Sequence, residues 1–245
     1  MARNLKPKEE QLPAVINFAE DASNGLADMT AQDYAIPYLS ILQKTSPQLD
    51  THDVKAGQIW NTVTEEAVSE LTVIPCAYVR NFVEWVPRDM GGGLVGVHGV
   101  NDLPKHSRID GKLTTAEGNM LIETANHYVM IVTADGVERG LITMTSTQLK
   151  KNRRWNSLMA GIKMKDPNGQ MFTPARFSHT YKLSTVKEKN DKGSWDGWTI
   201  ELDKQLADMG LYALAKDFAN QVQSGQVQAG PPVNEAGPDA DSIPF

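Results

Sequence analysis

A β-rich α+β fold is predicted for this chain of 245 residues, with one helix inserted among the strands, a closing C-terminal helix and a disordered acidic tail. Short runs rich in Val, Ile, Thr and aromatic residues, separated by polar turns, recur through residues 58–145 and are typical of strands. Two later segments repeat apolar residues at the helical period. The pattern divides the chain into a loose N-terminal arm at 1–35, a core at 36–222 and a linker with its tip at 223–245.

The first third of the chain predicts strands that follow an irregular start. Residues 1–35 are polar with weak periodicity, although 12–22 could form a short helix. The apolar segment 36–42 is expected to pack on the core rather than form a long element, because Pro37 and Pro47 limit it. The remaining expectations are strands at 58–64, 71–79 and 82–86, a turn at 91–93 and irregular structure at 99–119.

The clearest local signal is a β-hairpin formed by residues 128–134 and 137–145. Asp135-Gly136 separates the two runs, and this dipeptide favours a tight turn because both of its residues tolerate positive φ. Ser146 or Thr147 is then expected to cap a helix that ends at Gly161.

A second hairpin and a closing helix complete the predicted order. The hairpin is expected at 175–187 and 195–202 with a polar tip at 190–193, and the helix at 203–222. Strands, hairpin, helix and hairpin follow one another in the same way in an oligonucleotide-binding (OB) fold, a five-stranded Greek-key barrel with a helix between its third and fourth strands. The predicted fold class is therefore an OB-like Greek-key barrel with an inserted helix.

The residue types argue against several classes of protein. Cys76 is the only cysteine, and its apolar surroundings favour a buried structural thiol in a reducing cytoplasm over a nucleophile. No apolar run is long enough for a transmembrane helix, and residues 1–11 lack the apolar region of a secretory signal. The five histidines are scattered, and the glycines at 91–93 are not followed by the Lys-Ser/Thr of a phosphate loop. We therefore expect no enzyme activity, no metal and no cofactor.

The charge of the chain is unevenly distributed. Its net charge is −6, but residues 150–192 carry eleven basic and three acidic side chains, a net of +8, which leaves −14 on the rest. A polyanion responds to the local field within about 8–10 Å, so the basic segment matters more than the total. The alternative interpretation is a solvated surface without a ligand.

Binding of single-stranded DNA without sequence preference needs cations for the phosphates and flat side chains for the bases, and the basic segment contains both. On the predicted helix, Trp155 could either stack on a base or belong to the apolar stripe with Leu158 and Met159. Alternation along 175–187 places Phe177 on the core side and Arg176 and Lys182 on the side that faces DNA. The candidate DNA-binding residues are Lys150, Lys151, Arg153, Arg154, Trp155, Lys163, Lys165, Arg176, Tyr181 and Lys182.

The chain ends in Ile243-Pro244-Phe245, preceded by Asp239 and Asp241 in a segment poor in aromatic and basic residues. A terminal Phe offers a ring and a carboxylate to one pocket, and the aspartates steer the tip to basic surfaces. This tip resembles that of bacterial single-stranded DNA-binding protein (SSB), although Ala240 and Ser242 interrupt its aspartate run. The resemblance implies that the tip docks replication or recombination proteins.

The whole layout resembles the single-stranded DNA-binding proteins of short-tailed phages, with an OB-like core, a closing helix and an acidic tail ending in Phe. This resemblance implies a DNA-binding protein of phage replication or recombination in the cytoplasm of an infected bacterium. The lack of a long apolar run predicts no membrane partner, and a homo-oligomer stays open. Two other functions stay open. One is a strand-annealing factor, and the other is a mimic of the SSB tip that occupies host pockets without binding DNA.

Overall fold

A computed structural model describes residues 20–22, 24–29, 33–191 and 193–228, and divides the chain into two units, 1–34 and 35–245. In the first unit the described residues form turns, and Tyr34 Oη lies 3.7 Å from Met29 Sδ. The helix considered at 12–22 lies largely outside the described residues, and its last three positions, 20–22, form a turn.

Within the described ranges the second unit has three helices, α1 Gln48–Thr51, α2 Leu149–Gly161 and α3 Met209–Gln223. Short 3₁₀ turns lie at Arg88–Met90, Ser146–Gln148 and Arg176–Ser178. The strands are β1 Leu39–Ile41, β2 Ile59–Asn61, β3 Glu66–Val68, β4 Glu70–Trp85, β5 Leu94–Gly99, β6 His106–Ile109, β7 Lys112–Thr115, β8 Met120–Val132, β9 Val137–Thr145, β10 Met164–Lys165, β11 Met171–Phe172, β12 His179–Asn190 and β13 Gly193–Gln205.

Two long antiparallel strands, β4 and β8, form the centre of an eight-stranded sheet. At one end β4 pairs with β12, which pairs with β13, while β8 pairs with β9. At the other end β4 pairs with β5, and β8 pairs with β7, which pairs with β6. The strands β1, β2 and β3 form a separate small sheet, and β10 and β11 form a two-stranded ribbon.

The α2 and α3 helices pack on opposite faces of the sheet. His127 of β8 stacks on Trp155 of α2, with ring centroids 4.4 Å apart, while its neighbour Tyr128 meets Phe218 of α3 edge to face. Successive strand residues point to opposite faces, so a strand covered on both faces has no solvent-exposed side. Ala125–Ile131 is accordingly buried without interruption.

The closed barrel expected from the sequence is not present among the described residues. The main sheet runs β9, β8, β4, β12, β13 at its helix-bearing end, and β9 and β13 do not pair. Residues 37–43 hydrogen-bond to both strands instead. Leu141 N of β9 donates to Pro37 O, and the Gln43 side chain bonds both the N–H and the carbonyl of Asp196 in β13. The fold is β-rich, with antiparallel sheets and an open edge bridged by this segment.

Most predicted elements occur with shifted bounds. The hairpin around Asp135-Gly136 is confirmed as β8 and β9, and the second hairpin as β12 and β13. The two strands expected at 71–79 and 82–86 are one strand, β4, and the irregular region 99–119 contains β6 and β7. The closing helix starts at Met209 rather than 203, because β13 continues to Gln205 and the Asp208 side chain then caps α3 at Leu211 N.

Candidate nucleic-acid interface

The α2 helix separates its cations from its apolar residues. Asn152, Trp155 and Met159 are buried, and their i, i+3, i+7 spacing places them on a single helix face. Lys150, Arg153 and Arg154 are exposed and lie together on the outer face. The structure therefore brings three of the predicted DNA-binding cations onto one solvent-facing surface, which we call the α2 outer face.

The start of α2 is electropositive for a second reason. A helix N-terminus carries a partial positive charge and usually holds an acidic or capping side chain. The first turn of α2 has no acidic residue and no side-chain cap, and it contains Lys150 and Lys151. Ser146, three residues before the helix, has a φ of 47°, which a non-glycine residue seldom adopts. Cations at this end cost a few tenths of a kcal/mol up to about 1 kcal/mol, and the Glu188 carboxylate beside Lys151 offsets part of that cost.

Two predicted DNA-binding lysines have acidic partners. Lys151 Nζ lies 2.8 Å from Glu188 Oε1, and Trp195 Nε1 donates to the other oxygen of that carboxylate at 3.1 Å. Lys182 is exposed, and its Nζ lies 3.9 Å from Glu70 Oε1. Lys151 therefore ties α2 to the β12–β13 hairpin and is less available to phosphates than the residues of the α2 outer face. The contact of Lys182 is longer and exposed, so it leaves the Lys182 ammonium open to solvent.

Trp155 and Tyr181 are not on the surface. Both side chains are fully buried, and their rings meet edge to face with centroids 5.7 Å apart in the core. Neither presents a face to a ligand, so the prediction that they contact DNA is wrong for this conformation. Trp85 and Trp198, also considered as stacking platforms, are buried as well, and Trp195 is half-buried.

Arg176 is likewise an internal cation rather than a DNA-facing one. One terminal nitrogen donates to Asn156 Oδ1 and the other to His127 Nδ1, each at 3.0 Å, and the guanidinium lies over the Tyr78 ring. The sequence placed Arg176 on a regular strand, but residues 176–178 form a 3₁₀ turn and β12 begins only at His179. The turn redirects the Arg176 side chain towards α2.

The same hydrogen bonds determine which ring nitrogen of His127 carries the proton. Because Arg176 donates to Nδ1, the proton of the neutral ring is on Nε2, which donates to Asn152 Oδ1 at 2.8 Å. Asn156 also donates to that oxygen. Burial and, to a lesser extent, the charge of Arg176 together lower the pKa of His127 to about 3, against the opposing effect of the hydrogen bond to Asn152. Hydrogen bonds thus join α2 to β8 through neutral His127.

A pH dependence of stability follows from His127. Its folded pKa of about 3 lies below the unfolded value of about 6.5, so the unfolded chain takes up the proton first. The contribution is fully present above pH 6.5 and is lost as the pH falls, by about 2 kcal/mol of unfolding free energy between pH 7 and pH 5. Urea unfolding across this window should therefore show a flatter pH dependence for His127→Gln than for the wild type, whatever the absolute stability of the variant. Parallel curves would contradict the assignment.

Lys163 and Lys165 are exposed and follow α2 closely, Lys165 in β10 and Lys163 immediately before that strand. The partner-binding residues predicted at the C-terminus, Asp239, Asp241, Ile243, Pro244 and Phe245, lie outside the described residues.

The described residues offer no candidate metal site and no activated thiol. No group of three or more His, Cys, Asp or Glu side chains in the described ranges could hold a metal ion. Burial raises the pKa of the Cys76 thiol to about 12, so this group stays protonated at neutral pH. No helix in the described part of the chain is long and apolar enough to cross a membrane.

A family model named Pam3 phage gp34-like protein matches residues 7–228, which include the whole sheet and all three helices. The chain belongs to the Pam3 phage gp34-like family. It is therefore a bacteriophage protein, as the sequence layout predicted. No curated protein and no solved structure matches it, so the family gives the origin of the chain and leaves its activity to be argued from the site.

Proposed function

We propose that this phage protein binds single-stranded DNA without sequence preference during replication or recombination, in the cytoplasm of the infected host. The observation that carries the proposal is the α2 outer face, where Lys150, Arg153 and Arg154 are exposed together on a helix whose first turn contains no acidic residue. Such a surface attracts phosphates whatever the base sequence. The role is binding, without a catalytic step.

The connectivity of the sheet supports an OB-related fold as part of the proposal. The strand order β9, β8, β4, β12, β13, with α2 inserted between β9 and β12, is that of an OB fold opened between its third and fifth strands. Residues 37–43 lie between β9 and β13, where direct pairing of those two strands would close the barrel of an OB fold. OB folds commonly bind oligonucleotides, and that is what this connectivity adds to the proposal. Because α2 and α3 cover the two faces of the sheet around β8, the proposed DNA-binding surface lies on α2 and not on the sheet itself.

The proposal has a second part, which rests on sequence alone. The tip Ile243-Pro244-Phe245 recruits replication or recombination proteins through a pocket that takes the Phe ring and a basic group that takes the terminal carboxylate. The DNA-binding surface and the recruiting tip would then belong to separate parts of one chain.

Titration of the full-length protein with labelled oligo-dT and with a duplex of equal length tests the first part. We expect oligo-dT to bind more tightly than the duplex, with an affinity that falls steeply as salt rises. Absence of binding to either DNA at low salt would refute the proposal and favour the mimic of the SSB tip. A strand-annealing assay on the same protein separates simple coating of DNA from pairing of complementary strands.

A further inference from the structure

The β10–β11 ribbon is a preorganised projection from the fold. Met164 pairs with Phe172 and Lys165 with Met171, and neither strand belongs to the eight-stranded sheet. Asp166 holds the turn, since its Oδ1 accepts from the N–H groups of Asn168 and Gln170 at 2.9 and 2.8 Å. Gly169 takes the left-handed conformation that the turn requires, with a φ of 81°. A turn ordered in this way loses little conformational entropy when a ligand binds.

Phe172 is the aromatic side chain that the fold leaves available. Three aromatic residues are exposed in the described ranges, Tyr34, Tyr212 and Phe172. Tyr34 bonds to Met29, and Tyr212 meets Phe177 edge to face with centroids 5.1 Å apart. Phe172 is 42% exposed and has no ring contact or cation over its face within the described structure. Because the Phe172 side chain has no hydrogen-bonding atom, it can contact a ligand only through apolar packing or stacking of its ring.

The two faces of the ribbon differ in chemistry. Cross-strand partners share a face, so Phe172 lies with Met164 on one face and Lys165 with Met171 on the other. Lys163, on the lysine face by alternation, donates to Thr173 across the ribbon. Bases and phosphates project in different directions from a single strand, so a strand passing the ribbon can offer a base to one face and phosphates to the other.

The ribbon also continues the cationic surface of α2. Lys163 follows the last helical residue, Gly161, by two positions, and Arg154 lies roughly 10 Å from that end along the helix axis. Exposed cations thus continue along the chain from the α2 outer face to the ribbon. An aromatic ring beside such a track is what sequence-tolerant binding of unpaired bases requires.

From this arrangement we propose that Phe172 is a base-stacking residue, and that its ligand is an unpaired nucleobase of single-stranded DNA. The inference rests on the proposed function and assigns its base-contacting element. Phe172 thereby takes the stacking role that the buried Trp155 and Tyr181 cannot perform.

The test compares oligo-dT with an abasic oligonucleotide of the same length and charge, using full-length protein. Wild type should prefer oligo-dT, and Phe172→Ala should reduce that preference by about 5- to 150-fold while leaving abasic affinity and the salt dependence unchanged. Phe172→Tyr should retain the preference. Leu214→Ala, which removes an exposed apolar side chain from α3, is the matched control and should behave as wild type.

Ultraviolet cross-linking to oligo-dT, with the attached peptide identified by mass spectrometry, gives a readout that folding defects do not imitate. A cross-link at Phe172 supports the inference. Equal wild-type affinity for oligo-dT and abasic DNA, or an unchanged preference in Phe172→Ala, overturns the role of Phe172 and leaves the proposed function standing. Failure of wild type to bind either oligonucleotide removes both.

Discussion

Replacing Lys150, Arg153 and Arg154 together with alanine should weaken binding to oligo-dT by about 100-fold near 0.1 M salt. Each phosphate contact to a single strand contributes about 0.7 to the slope of log affinity against log salt, so three lost contacts should lower the slope by about 2. The three side chains are exposed on the α2 outer face, and the buried face of the helix is untouched. The thermal midpoint should therefore stay close to that of wild type.

A matched variant distinguishes specific contacts from net charge. Lys105, Lys204 and Lys216 are exposed lysines away from α2, and changing all three to alanine removes the same formal charge. This control should keep most of the affinity and nearly all of the salt slope. If both triple variants lose affinity equally, the protein attracts DNA through its overall field. If neither does, the basic segment is only a solvated surface.

The sequence predicted α2 well because its signals are local. Apolar residues at the helical period place Trp155 with Met159, and the same period places Lys150, Arg153 and Arg154 together on the other side. Periodicity alone did not decide whether Trp155 stacks on a base or packs in the core. The deciding fact is tertiary, since His127 of β8 and Tyr181 of β12 cover the indole ring.

The wrong predictions in the candidate site have two causes, irregular backbone near a predicted strand and ion-pair partners that are distant in sequence. A 3₁₀ turn at 176–178 and a register shift between His179 and Tyr181 break the alternation that had placed Arg176 outside. Lys151 looked like a free cation because Glu188, its partner, is distant in sequence. Phe172 was missed because a two-residue strand is too short to show a period, although its place near Lys163 and Lys165 was a usable signal.

The open edge of the sheet could not have been predicted from strand order alone. The predicted order of hairpin, helix and hairpin along the chain is observed, but closure of a barrel depends on whether β9 and β13 meet. Residues 37–43 prevent this through hydrogen bonds to Leu141 and Asp196, which lie about 100 and 150 residues further along the chain. Contacts between residues so far apart in sequence do not produce a periodic pattern of apolar residues, so nothing in segment 37–43 indicated them.

Changing Phe245 to alanine should abolish recruitment of a host protein that binds the SSB tip, with little effect on oligo-dT affinity. The ring fills the pocket that recruitment needs, whereas DNA affinity depends on the cations of the core. Pull-down of the partner and titration with labelled oligo-dT measure the two effects separately. Asp239→Asn with Asp241→Asn is the control that removes acidic charge and retains the ring.

Deleting residues 231–245 should change two properties, the affinity for DNA and the recruitment of the partner. An acidic segment tethered to a basic surface reaches an effective concentration as high as millimolar, enough for a weak ligand to occupy that surface part of the time. The deletion should therefore tighten DNA binding at low salt and lose recruitment, and the double Asp→Asn variant should tighten DNA binding while still recruiting. Because Ala240 and Ser242 interrupt the aspartates, the gain in DNA affinity should be smaller than the loss of recruitment. Equal partner binding by the full-length, truncated and Phe245→Ala proteins would exclude the tip from recruitment and leave the α2 outer face as the functional surface of the chain.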